Sequence, residues 1–155
     1  MSRLSFLSPD ECATEVERVS PLRRVTSDAV TDVSHLGKLE VRGGVPDDAI
    51  PIGPDRALLV IDGDVREMRD RLTADGFRVY DMTAALAAFE VEGEDLLRRL
   101  TELDLELLPA IGSVARGTAA LIERRDGERF RLFVPQELGH FVAEVVEDMA
   151  RGLGR

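Results

Sequence analysis

Val30-Thr31-Asp32-Val33-Ser34, followed by Leu39-Glu40-Val41-Arg42-Gly43, decides the fold because the pattern is written twice. Its echo is Val79-Tyr80-Asp81-Met82-Thr83, followed by Phe89-Glu90-Val91-Glu92-Gly93. The first block recurs after 49 residues and the second after 50, so one residue is inserted between them. In each copy a strand-like block ends at Asp-x-Ser/Thr. After a break, a second strand follows and is closed by glycine. Self-similarity at a fixed spacing marks a duplicated supersecondary unit.

Outward from this core, Ala57 to Ile61 is a continuous apolar run and predicts a buried strand. Val45 to Asp55 holds three prolines and a glycine, so it reads as a loop. Asp64 and Glu67 form a capping box, Val65, Met68 and Leu72 repeat at helical spacing, and Gly76 stops the helix. The pattern restarts with strands at Phe77–Tyr80 and Leu86–Val91. Glu94 and Asp95 suit a helix start, and Leu96, Leu97, Leu100 and Leu103 make one helical face. Pro109 and Gly112 mark a loop. Thr118–Ile122 and Phe130–Val134 are strands around Arg125-Asp126-Gly127-Glu128, whose Asp-Gly core signals a hairpin. Pro135 opens a last helix with Leu138, Phe141, Val142, Val145, Val146 and Met149 on one face. At the other end, Ser8-Pro9-Asp10-Glu11 predicts a short helix ending before Pro21.

These elements predict an arm over 1–20, one domain over 21–150 and a frayed tail over 151–155. The domain is built from two repeats, about 25–76 and 77–150. The expected class is α+β: two ferredoxin-like β/α units, the first abbreviated, with mixed, mostly antiparallel sheets and helices packed on them.

Composition narrows the function. The 155 residues carry 20 basic and 30 acidic side chains, a net charge of −10, which disfavours nucleic acid and anionic membrane as partners. An apolar share of 44% supports a packed core. A single cysteine, Cys12, excludes an internal disulfide framework, and with only His35 and His140 beside it no metal site is expected. Met1 to Leu7 is not a secretory signal, and no apolar run approaches a membrane span, so a cytoplasmic location is expected.

The repeated residues also carry a family resemblance. Thr31 to Gly43 resembles the Asp-Val-Ser-His-Met-Gly segment of the glycine cleavage T-protein, a folate-binding aminomethyltransferase. Gly93 to Leu105 resembles the helix after the corresponding strand in that superfamily. The abbreviated first unit, Gly53-Pro54 before the strand Ala57–Val60, and the run Phe130 to Pro135 before a closing amphipathic helix are similar to the gamma subunit of heterotetrameric sarcosine oxidase. Ala57 and Glu106 stand where that family commonly has Trp and His. The resemblance spans about residues 20 to 150. It implies a small accessory subunit of an oxidoreductase complex rather than an independent catalyst. It also implies larger flavoprotein partners that hold FAD, FMN and NAD, with tetrahydrofolate accepting the one-carbon unit. A stand-alone folate-binding, aminomethyltransferase-like protein is the alternative.

Gly43-Gly44-Val45-Pro46-Asp47-Asp48 matches the spacing of a T-protein segment, so the resemblance makes Asp47 a candidate catalytic carboxylate and Asp48 a candidate for folate binding. The same residues also suit a solvated acidic loop. His35, in the break between two strands, reads first as a histidine that fixes the turn by a backbone hydrogen bond and is a further candidate for cofactor binding. Asp32 and Asp81 read as turn residues bonding the backbone near Ser34 and Thr83. Arg116, Arg124 and Arg125 suit either a carboxylate grip or an ordinary soluble surface.

Overall fold

In the computed structural model, residues 19–25 and 27–154 are described. The helix expected over residues 8–20 and Cys12 lie wholly or mainly outside them. The first repeat supplies β1 (Thr31–Asp32), β2 (Gly37–Arg42), β3 (Ile50–Gly53), β4 (Arg56–Ile61) and α1 (Val65–Ala74). The second supplies β5 (Arg78–Asp81), β6 (Leu86–Glu92), α2 (Glu94–Leu100), β7 (Ala110–Val114), β8 (Thr118–Asp126), β9 (Arg129–Pro135) and α3 (Gly139–Gly152).

The strands form two sheets, ordered β1-β6-β9-β8-β7 and β3-β4-β2-β5, with every pairing between these strands antiparallel. Each repeat lends its opening strand to the other. β1 pairs with β6 so that Asp32 stands opposite Phe89 and Thr31 opposite Glu90. β5 pairs with β2 so that Asp81 stands opposite Leu39 and Tyr80 opposite Glu40. Leu39 and Phe89 are the repeat counterparts, so the two exchanges are images of one another. The turns match too: Asp32 Oδ1 accepts from Ser34 N and Asp81 Oδ1 from Thr83 N, each at 2.9 Å.

The layers follow from strand alternation. Leu39, Val41, Leu59 and Ile61 face α1, where Leu72 is buried with Val65 and Met68 beside it. Phe89, Val91, Ile122, Phe130, Leu132 and Val134 face α2 and α3, packing on Leu96, Leu97, Leu100, Val142 and Val146. The opposite faces meet, with Ile50 and Leu58 of one sheet against Ala88, Leu121 and Phe133 of the other. The order is helix, sheet, sheet, helices.

Local signals operate as their chemistry requires. Asp64 caps α1, accepting from Arg66 N and Glu67 N. Gly76 ends it at φ +92°, with Phe77 N donating to Leu72 O and Gly76 N to Thr73 O. The β8–β9 hairpin turns at Gly127-Glu128, between the paired residues Asp126 and Arg129.

Four expectations need correction. The segment read as a loop over Val45–Asp55 contains β3, where Pro51 is tolerated because an edge strand needs partners on one side only. The loop read at Pro109–Gly112 is largely β7, another edge strand. Gly112 sits there because a Cβ would fall 2.5 Å from Leu103 Cγ. Leu103 itself leaves the helical face, since α2 ends at Leu100 and Thr101 bridges to Val114. Pro135 closes β9, and α3 begins at Gly139 after a 3-10 turn over Gln136–Leu138.

Candidate functional site

His35 stands in the turn between β1 and β2, held from behind by hydrogen bonds that reach into both repeats. Ser34 Oγ donates to Ala88 O at 3.1 Å and accepts from Ala88 N at 3.0 Å. Asp32 Oδ2 accepts from Ser20 Oγ. Lys38, fully buried, donates from Nζ to Ser34 O at 2.9 Å and Leu36 O at 2.8 Å. The imidazole therefore projects from a fixed turn.

That turn forms one wall of a concavity of about 440 Å³ lined by Ser34, His35, Thr83, Ala84, Leu86 and Gln136. Both Asx-type turns contribute to it, so it lies on the seam where the repeats exchange strands. Next to it, sharing Ser20, Pro21 and Gln136, a second concavity of about 360 Å³ is lined by Arg23, Arg24 and His140. Both histidines of the chain thus border adjoining hollows. His140 Nε2 lies 3.2 Å from Glu144 Oε1, and its Nδ1 is buried without a hydrogen-bond partner among the described residues.

Asp47 and Asp48 occupy an exposed turn after β2, with Asp48 at φ +63°. His35 precedes β2 and Asp47 follows it. Six strand residues span about 20 Å, so the fold does not bring these candidates into one site.

A charged seam, which sequence reasoning missed, lies between the sheets. Arg131 donates from Nε and Nη2 to Glu90 Oε1 at 3.0 and 2.7 Å. Its Nη1 is 3.3 Å from Glu123 Oε1, an oxygen with no hydrogen bond among the described residues. Burial therefore pushes the Glu123 carboxyl upward despite Arg131 and Arg125. Glu40, the repeat counterpart of Glu90, takes Arg42 at 2.6 Å and Arg56 at 3.1 Å. Burial lowers Lys38 to about 8, against the pull of Asp32 and Asp81 and with Arg131 adding to the fall. The alternation of β9 assigns Arg131 to the face opposite Phe130 and Leu132, which sequence alone reads as a solvent face.

The first turns of α1 and α2 carry Glu67 and Glu94-Asp95, the wrong sign for a dinucleotide pyrophosphate. These helix starts do not fit FAD or NAD. The groove at His35 offers apolar walls with a few hydrogen-bonding groups, a makeup that suits a small organic ligand. Among the described residues no group of three or more His, Cys, Asp and Glu side chains could hold a metal ion, and no helix is long and apolar enough to cross a membrane.

No family model matches the chain, and no curated protein matches it by sequence. The fold does have a solved counterpart. It is similar to a chain of the heterotetrameric sarcosine oxidase from Corynebacterium sp. U-96, solved in complex with pyrrole 2-carboxylate. The TM-score is 0.71 at 15% sequence identity, covering 89% of this chain and 97% of that one. Nearly the whole of both chains is matched, so the counterpart is of comparable length, and what the two share is the α+β architecture.

Proposed function

We propose that this chain is the small, gamma-type subunit of a heterotetrameric sarcosine oxidase-like complex. Such a complex demethylates sarcosine or a related methylated amine oxidatively, with flavins on the larger subunits and tetrahydrofolate as one-carbon acceptor. The observation that carries this reading is the end-to-end fold match to a chain of similar length from such a heterotetramer. The separation of His35 from Asp47 along β2 supports an accessory rather than a catalytic role. In this reading the chain contributes a rigid surface, and the redox chemistry belongs to its partners.

Co-expression with large flavoprotein subunits of the same organism tests it. The expected result is a coloured complex from which the chain does not separate on gel filtration. Elution of the chain alone in every combination would overturn the reading.

The 440 Å³ groove at His35 supports a second reading, in which the chain itself binds folate. Calorimetric titration of the isolated chain with tetrahydrofolate, repeated with Asp47→Ala and His35→Ala, separates the two. Wild-type binding that is lost in His35→Ala would favour the alternative, whereas Asp47→Ala, at the far end of β2 from that groove, should leave it unchanged.

A further inference from the structure

Of the three arginines that the sequence offered as a carboxylate grip, two are engaged. Arg124 donates to Gly127 O at 2.9 Å, approaches Glu94 at 3.5 Å and lies over the Phe130 ring. Arg125 faces Glu123 at 3.7 Å. Arg116 is different. It occupies the tight connection between β7 and β8 at φ +56°, ψ +33°, followed by Gly117 at φ +85°. Such a turn favours Gly or Asn, because a longer side chain in the left-handed region is strained. The chain nevertheless places an arginine there.

Arg116 borders an open concavity of about 640 Å³ between the C-terminal end of α2 and this connection. Arg98 and Arg99 line the same hollow, and Glu102 is the one acid among its lining residues. Arg98 is held by Glu94 at 2.6 Å. Arg99 and Arg116 make no ion pair or hydrogen bond among the described residues. A chain of net charge −10 thus gathers three arginines against one glutamate at one place, with two guanidinium groups unspent.

We infer that this hollow is a docking site for an acidic segment of a partner protein. Charge complementarity selects the occupant. Small-molecule pockets are mostly apolar and enclosing, whereas this hollow is open and rich in polar groups. Guanidinium forks match carboxylates in pairs. Two forks on different elements suit alternate Asp or Glu side chains, i and i+2, which share one face of an extended strand.

Fluorescence anisotropy of a labelled hexaglutamate peptide against the isolated chain tests this without any partner subunit, so its outcome is independent of whether the chain enters a flavoprotein complex. Arg116→Gly suits the observed backbone and keeps the fold. Arg99→Gln changes an exposed helix position. Each variant is expected to weaken binding about tenfold, and added salt to weaken the wild type towards the variants. Unchanged binding in Arg116→Gly would overturn the proposal. So would inorganic phosphate displacing the peptide at equal concentration, which would mark a single-oxyanion site instead.

Discussion

Lys38 is the only lysine among 20 basic residues, and it is completely buried. Every other cation is an arginine, so the exception calls for a local reason. The compact ammonium donates to two carbonyls, Ser34 O and Leu36 O, within one turn. A planar guanidinium is longer and has a fixed fork, so it matches two carbonyls of one turn less well than a compact ammonium. Burial holds Lys38 near 8 instead of 10.5. Between those values the unfolded chain carries a proton that the folded chain has released. Stability linked to Lys38 therefore rises with pH across that window, by up to about 3 kcal/mol. The difference between wild type and Lys38→Met in urea unfolding should shift in favour of the wild type from pH 8 to 10.5. A flat difference would contradict this assignment. The lone lysine also gives one side-chain resonance, so its titration can be followed directly by NMR.

At the scale of elements, the exchanged strands β1 and β5 are short and rely on their turns. Asp32 makes two side-chain bonds, to Ser34 N and Ser20 Oγ, and it also faces Lys38. Asp32→Ala should cost about 2 kcal/mol in denaturant unfolding, because it removes both bonds and one of the counter-charges of a buried ammonium. Gly112→Ala should cost about 1–3 kcal/mol, since its methyl would overlap Leu103 beside β7. A melting temperature equal to wild type would show that β7 gives way without loss. Elements with strong local chemistry were legible in the sequence: the Asp64 cap, the Gly76 stop and the Asp126-Gly127 hairpin. β3 and β7 were not, because Pro51 and Gly112 are loop signals in isolation and become admissible only at a sheet edge. The repeat was legible in Asp32 and Asp81. The strand exchange between its copies was not, because pairing partners are a property of the assembled sheets. The candidate site was legible only in part. His35 marks a real concavity, but nothing in the spacing of His35 and Asp47 reveals that β2 holds them apart. Arg131 and Glu123 alternate like surface residues and are enclosed only because a second sheet covers them.

At the scale of the molecule, two units with exchanged opening strands are enclosed between α1 on one side and α2 with α3 on the other. Unfolding one unit withdraws a strand from the other's sheet, so the two should unfold together. A cooperative body of this kind suits the proposed role of a subunit that presents surfaces. In the proposed gamma-type role, function resides in assembly. Reconstituting the large flavoprotein subunits with and without this chain, and measuring sarcosine-dependent oxygen uptake beside particle mass, tests it most directly. A stable, active assembly is expected only when the chain is present. Equal mass of the flavoprotein assembly and equal activity without it, with the chain migrating alone, would contradict it.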